Sequence, residues 1–134
     1  MLGEKLGESR GKSIVNRVLS ADLEAPKLES SFQDSGTLLG VEVSGFGTFT
    51  AVQRPGGFLQ GEGQGISMTK EGETVTWVGQ GIGRFSGPGS VSWRGSLLYR
   101  TSSERLARLN GMVGLFEYEI DPEGNTIGKI WEWK

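Results

Sequence analysis

The chain has 134 residues, the size of one ordinary domain, and carries 14 basic against 16 acidic residues for a formal charge of −2, with neither sign gathered into a run. It contains no cysteine and no histidine, which excludes disulfides, thiolate nucleophiles, Ser-His-Asp and Cys-His catalysis and nearly all zinc sites. A nucleic-acid binder shows a basic face and a membrane-spanning helix needs about eighteen apolar residues in a row; neither is present, so the sequence predicts a cytoplasmic protein with no nucleic-acid or membrane partner.

Residues 1–12 mix Lys, Glu, Gly, Ser and Arg with too little apolar content to pack, which predicts a disordered N-terminal tail ahead of a single domain over 13–134. "SIVNRVLS" reads as a short strand or a helical turn, and "PKLESSFQ" as an early strand after Pro26. From Gly36 onward the signal sharpens. The segments 37–53, 57–69, 73–86, 89–101, 110–121 and 125–133 are rich in β-branched and aromatic residues and are separated by "RPGGF", "KEGE", "SGPGS" and "DPEGN", each of which supplies a glycine for a left-handed turn. Short links make sequence neighbours pair antiparallel, as a meander. The exception is "TSSERLARLNG", where Thr101 and Glu104 fit a capping box and Asn110-Gly111 a stop, predicting one short helix near residues 102–109.

Glycine is the compositional outlier, at 23 of 134 residues against a usual share of about 7%. In "GEGQGISMTKEGETVTWVGQGIG" it forms two triplets, Gly61, Gly63, Gly65 and Gly79, Gly81, Gly83, on the arms of one hairpin. Side chains alternate faces along a strand, so each triplet clears one face. A three-residue loop at Lys70-Glu71-Gly72 makes opposed positions sum to 142, placing Gly61 opposite Gly81 and Gly63 opposite Gly79 on one bare patch. There the sheet can bend sharply or a bulky ring can lie on the backbone. Six clear strands, two weaker ones and this relief of curvature predict an all-β, eight-stranded antiparallel meander barrel, with a two-sheet sandwich as the alternative.

The face opposite the glycines carries Gln60, Glu62, Gln64, Ile66 and Met68 on one arm and Val78, Gln80, Ile82 and Arg84 on the other. As a lumen it would be an apolar wall with polar groups to orient a guest, with Glu62 a buried carboxylate beside Gln80 and Arg84. The competing reading is a solvated outer face, favoured because Leu59, Val75, Trp77 and Phe85 make the other side more apolar. Glu42 in "LLGVEVSG" poses the same choice. The candidate ligand-binding residues are therefore Glu62, Gln64, Gln80, Arg84 and Glu42. "GQGIG" lacks the third glycine of a dinucleotide fingerprint and its strand-to-helix setting, so no phosphate cradle is read there. Glu117 is expected to pair across strands with Lys129. The pairs Trp131/Trp133 and Trp93/Tyr99 read as core or as subunit interface.

The runs "GVEVSGFGTFTAVQRPGGFLQGEGQG", "GETVTWVGQGIGRFSGPGSVSWRGSLLY" and "LNGMVGLFEYEIDPEGNTIGKIWEWK" resemble microbial proteins grouped with the allene oxide cyclase-like barrels. The likeness spans roughly residues 27–134 and lies in strand rhythm and glycine placement. It implies a calycin-type barrel, a dimer or trimer, and, as in plant cyclases, dirigent proteins and spirotetronate cyclases, chemistry without metal or redox cofactor on an apolar molecule held in the lumen. No active-site residue of those branches matches a position here. The functional expectation is a barrel that binds a small apolar or amphipathic molecule and acts as a cofactor-independent cyclase or isomerase. Its alternative is a filled, non-catalytic barrel serving oligomerisation or protein interaction.

Overall fold

The computed structural model describes residues 2–134. Eight strands close into a single antiparallel barrel in sequence order: β1 (Leu2–Ser20), β2 (Lys27–Leu38), β3 (Val41–Arg54), β4 (Phe58–Thr69), β5 (Thr74–Gly87), β6 (Ser90–Thr101), β7 (Val113–Ile120) and β8 (Asn125–Trp133), with β8 pairing back onto β1. The expected meander barrel is therefore the fold, and the sandwich is excluded. No helix among the described residues is long and apolar enough to cross a membrane.

The hairpin register is the one expected from loop length: Gly61 faces Gly81 and Gly63 faces Gly79. The bare face points inward. A Cβ built on Gly65 would lie 2.4 Å from the Trp77 indole, and one on Gly61 or Gly83 would lie 2.7 Å or 2.9 Å from Trp93. Large rings thus lie flat on glycine backbone, and the wall can curve tightly around them. The predicted turn glycines Gly56, Gly57, Gly72, Gly89 and Gly124 all have positive φ.

Three expectations are corrected. Residues 2–12 are not a tail but the first half of β1, paired with β8 on one side and, from Gly7, with β2 on the other; Met1 lies outside the described residues. The segment lacks an apolar signal because its inward positions Gly7, Ser9 and Gly11 are small; a Cβ at Gly7 would meet Leu38 and the Thr37 backbone, and one at Gly11 would meet Asp34 and the Gln33 backbone. The segment 37–53 is not continuous, since β2 and β3 turn at Leu39 and Gly40, both with positive φ (49° and 78°). The left-handed strain at Leu39 is offset by packing of its side chain against the buried leucine cluster.

The third correction concerns the helix, which is a single 3-10 turn, Ala107–Gly111, with no side-chain cap. Thr101 accepts from the Ser103 amide (3.1 Å) and does not cap Glu104. Asn110 does not stop a helix; its side chain binds both backbone groups of Thr101, accepting at 2.8 Å and donating at 3.0 Å. Leu106 and Leu109 are fully buried and pack with Leu6, Leu38, Val75, Tyr99 and Met112, sealing one end of the barrel. Glu73 latches this plug, accepting from Ser103 Oγ (2.5 Å) and Arg105 Nε (2.8 Å). These bonds, with burial opposing them, hold the Glu73 carboxyl below its ordinary range.

The opposite end is uneven. Pairing of β8 with β1 stops at Lys12, whereas β1 continues to Ser20 against β2, with bulges at Ile14 and Leu19. This raised lip carries exposed Ile14, Val15, Val18, Leu19, Leu23 and Leu28, with Leu23 90% exposed.

Candidate functional site

The inner wall encloses a cavity of about 130 Å³. Its rings form one cluster: Phe32 stacks with Trp77 at 6.4 Å, Tyr118 tilts against Phe32 at 5.3 Å, and Phe49 meets Trp93 edge-on at 5.6 Å. These rings come from β2, β3, β5, β6 and β7, so the site depends on barrel closure and not on one local motif. A cavity of about 150 Å³ lined by apolar groups accommodates benzene. This lumen is therefore ring-sized, well under the roughly 300–1,000 Å³ of a drug-sized pocket.

Asp34 stands among these rings. It shares the inward face of β2 with Phe32, Gly36 and Leu38, and its register partners are Gly11 on β1 and Gly45 on β3. With no side chain on either flank, the carboxyl borders open cavity. Burial pushes Asp34 up to about 6, with a hydrogen bond from Ser9 acting against the rise. Tyr118 and Tyr99 also line the cavity, and both phenols are pushed up, chiefly by burial and further by the charge of Asp34. The Tyr118 hydroxyl is buried and has no hydrogen-bond partner among the described residues; Thr126 lies beside it, outside bonding geometry, and acts against the rise. The lumen thus holds an acid that titrates near neutrality and phenols that stay protonated, the separation that acid–base chemistry needs.

None of the five residues expected from sequence projects into this cavity. Glu62, Gln64, Gln80 and Arg84 are exposed on the outer face, because the glycines opposite them take the inner one. The β4 and β5 positions of Glu62 and Gln80 form part of the cavity wall, and Gln80 also borders a groove on the outer surface with Trp131 and Arg94. Arg84 lies over the Phe58 ring at 5.9 Å. Glu42 is exposed and paired with Lys70 at 2.8 Å, which lowers its carboxyl. Glu117 does face Lys129, but its ion-pair contact is with Arg94 (3.8 Å), whose tighter partner is Glu119 (2.6 Å). Trp93 and Tyr99 are buried core residues, while Trp133 is exposed and Phe85, expected on the apolar face, is 56% exposed near the rim. Asp34 lies just before Gly36, in a stretch whose strand signal is weak. The alternation Phe32, Asp34, Gly36, Leu38, an acid in step with two buried apolar residues, is the signal that would have found it.

No family model and no curated protein sequence matches the chain. Its fold is similar to that of a protein of unknown function from Clostridium acetobutylicum ATCC 824, with a TM-score of 0.83, 12% identity and 98% of both chains covered. It is also similar to a beta-barrel-like protein from Acinetobacter baumannii AYE, with a TM-score of 0.79, 14% identity and 100% and 96% of the two chains covered. An enzyme from Penicillium herquei aligns with a TM-score of 0.70, 13% identity and 96% and 92% covered. At these identities the likeness shows a shared small β-barrel fold.

Proposed function

We propose that the barrel binds a small, largely apolar ring molecule in its lumen and acts on it without a cofactor, as the resemblance to allene oxide cyclase-like barrels implies. The supporting observation is the aromatic-lined cavity of about 130 Å³ with Asp34 on its wall. Its size narrows the expected guest to roughly one ring. The same barrel framework occurs in the Penicillium herquei protein, described as an enzyme, which is compatible with chemistry in such a lumen.

Phenol is the test probe, since it matches the cavity in size and offers one polar atom. Titrated into the protein it quenches or shifts the emission of Trp77 and Trp93, and Leu97→Trp, which fills the wall from the side of the plug, abolishes the change. A titration that leaves the emission unchanged, with no signal by calorimetry, sinks the binding reading.

A second reading, partner binding, is favoured by the raised lip. Its six exposed apolar side chains come from β1, the start of β2 and the turn between them, and grouped exposed apolar side chains mark interaction surfaces. The free β1 edge beyond Lys12 is bulged at Ile14 and Leu19, which suits side-chain contact better than strand addition. A second copy would cover the two lips against each other. The expected result is a dimer by light scattering at tens of micromolar that Val18→Asp with Leu23→Asp converts to monomer; a wild-type monomer at that concentration removes this reading.

A further inference from the structure

We infer that the lumen is a proton-transfer site for small cyclic ketones and their enols, in which Asp34 is the base and Tyr118 donates a hydrogen bond to the carbonyl oxygen. This deepens the lumen-binding reading and rests on it.

The geometry selects both the chemistry and the substrate class. Two polar side chains of the cavity lining carry the argument: Asp34, flanked by Gly11 and Gly45 with Ser9 beside it, and Tyr118, whose hydroxyl is buried and unpartnered among the described residues. A buried donor without an acceptor is costly, and a guest carbonyl oxygen supplies one. The surrounding Phe32, Phe49, Trp77 and Trp93 rings favour a neutral guest over an ion, since an extra charge would be desolvated there. A neutral, ring-sized molecule with one carbonyl satisfies every wall at once.

The step balances without an oxidant. The Asp34 carboxylate takes a proton from the carbon beside the carbonyl, the C–H electron pair becomes a C=C bond, and the carbonyl π pair moves onto oxygen. Tyr118 stabilises that oxygen by hydrogen bonding while keeping its own proton, as its environment requires. Protonated Asp34 then returns its proton to oxygen, giving the enol, or to a conjugated carbon, giving the isomeric ketone. An aspartate base beside a neutral hydrogen-bond donor in an apolar site is a general solution for this reaction class.

Cyclohexanone in deuterium oxide provides the test, with loss of its α-proton signals followed by nuclear magnetic resonance and phenol binding measured in parallel. Wild-type protein is expected to accelerate exchange over buffer, with a rate that rises through a midpoint near pH 6 as Asp34 ionises; Tyr99 and Tyr118, the titratable groups facing it, stay protonated throughout. Asp34→Asn loses exchange by about 10²-fold or more, and Tyr118→Phe by about 10-fold or more, while both still bind phenol and keep the wild-type near-ultraviolet circular dichroism. If phenol binds but exchange stays at the buffer rate, or survives in Asp34→Asn, the proton-transfer inference is overturned and the binding reading stands. If phenol fails to bind, both fall.

Discussion

Asp34→Asn raises the melting temperature at pH 7.5 and leaves it within a degree or so of wild type at pH 4. The folded carboxyl holds its proton up to about 6, whereas an unperturbed aspartate releases it near 3.8. The folded state therefore binds this proton more tightly than the unfolded chain. Its stabilising contribution is full below pH 3.8 and is lost as pH rises through about 6. The gap corresponds to at most roughly 3 kcal/mol at full ionisation. Because the carboxyl borders open cavity and keeps the Ser9 hydrogen bond, a gain of about 1–3 kcal/mol is expected. That is roughly 5–10 °C for a chain of this length. Thermal melts of both proteins across pH 4–8 decide the matter: parallel curves would mean that the carboxyl is solvated and the site misread. A gain in stability from removing an acid is the pattern expected where a group is retained for chemistry at the expense of the fold.

Gly65→Ala destabilises the barrel by about 1–3 kcal/mol, the usual cost of forced overpacking, and Gly65→Val by more. The new Cβ stands 2.4 Å from the Trp77 indole, and on the neighbouring strand Gly47, the register partner of Gly65, lies under the same ring and under Phe32, leaving no retreat across the wall. The ring can move only toward the lumen. The substitution therefore shrinks the cavity as it weakens the fold, and phenol binding disappears together with the lowered urea midpoint and an altered tryptophan emission. An unchanged midpoint with unchanged emission contradicts the ring-on-glycine packing. The result also separates this site from Asp34, where stability and function are expected to move in opposite directions.

The barrel could be read from sequence because its determinants are local. Loop length at Lys70-Glu71-Gly72 sets the parity of the pairing, and parity with glycine spacing places Gly61 on Gly81. The turns at Gly56, Gly57, Gly72, Gly89 and Gly124 rest on backbone chemistry that glycine announces. The site was illegible for the complementary reason. Its rings arrive from five strands, and β1, which closes the wall, has small residues at its inward positions Gly7, Ser9 and Gly11. Polarity misled twice: Glu62 and Gln80, which stood out, are outside because glycine occupies the inside. Asp34, in an ordinary stretch of Ser, Gln and Gly, faces inward because Phe32 and Leu38 do. The helix failed because Leu106 and Leu109 are held by the barrel end they plug and by the Glu73 latch, so the capping chemistry of Thr101 and Glu104 had no continuous helix to start.

The placement of the four indoles gives the molecule two independent optical channels. Trp77 and Trp93 look onto the cavity, while Trp131 and Trp133 lie on β8, where Trp131 borders an exterior groove and Trp133 is more than half open to water. A collisional quencher such as iodide dims the β8 pair first and barely reaches the enclosed pair. Phenylalanine replacements at 131 and 133 thus leave a protein whose remaining glow reports occupancy alone, and replacements at 77 and 93 leave one that reports events at the β8 exterior.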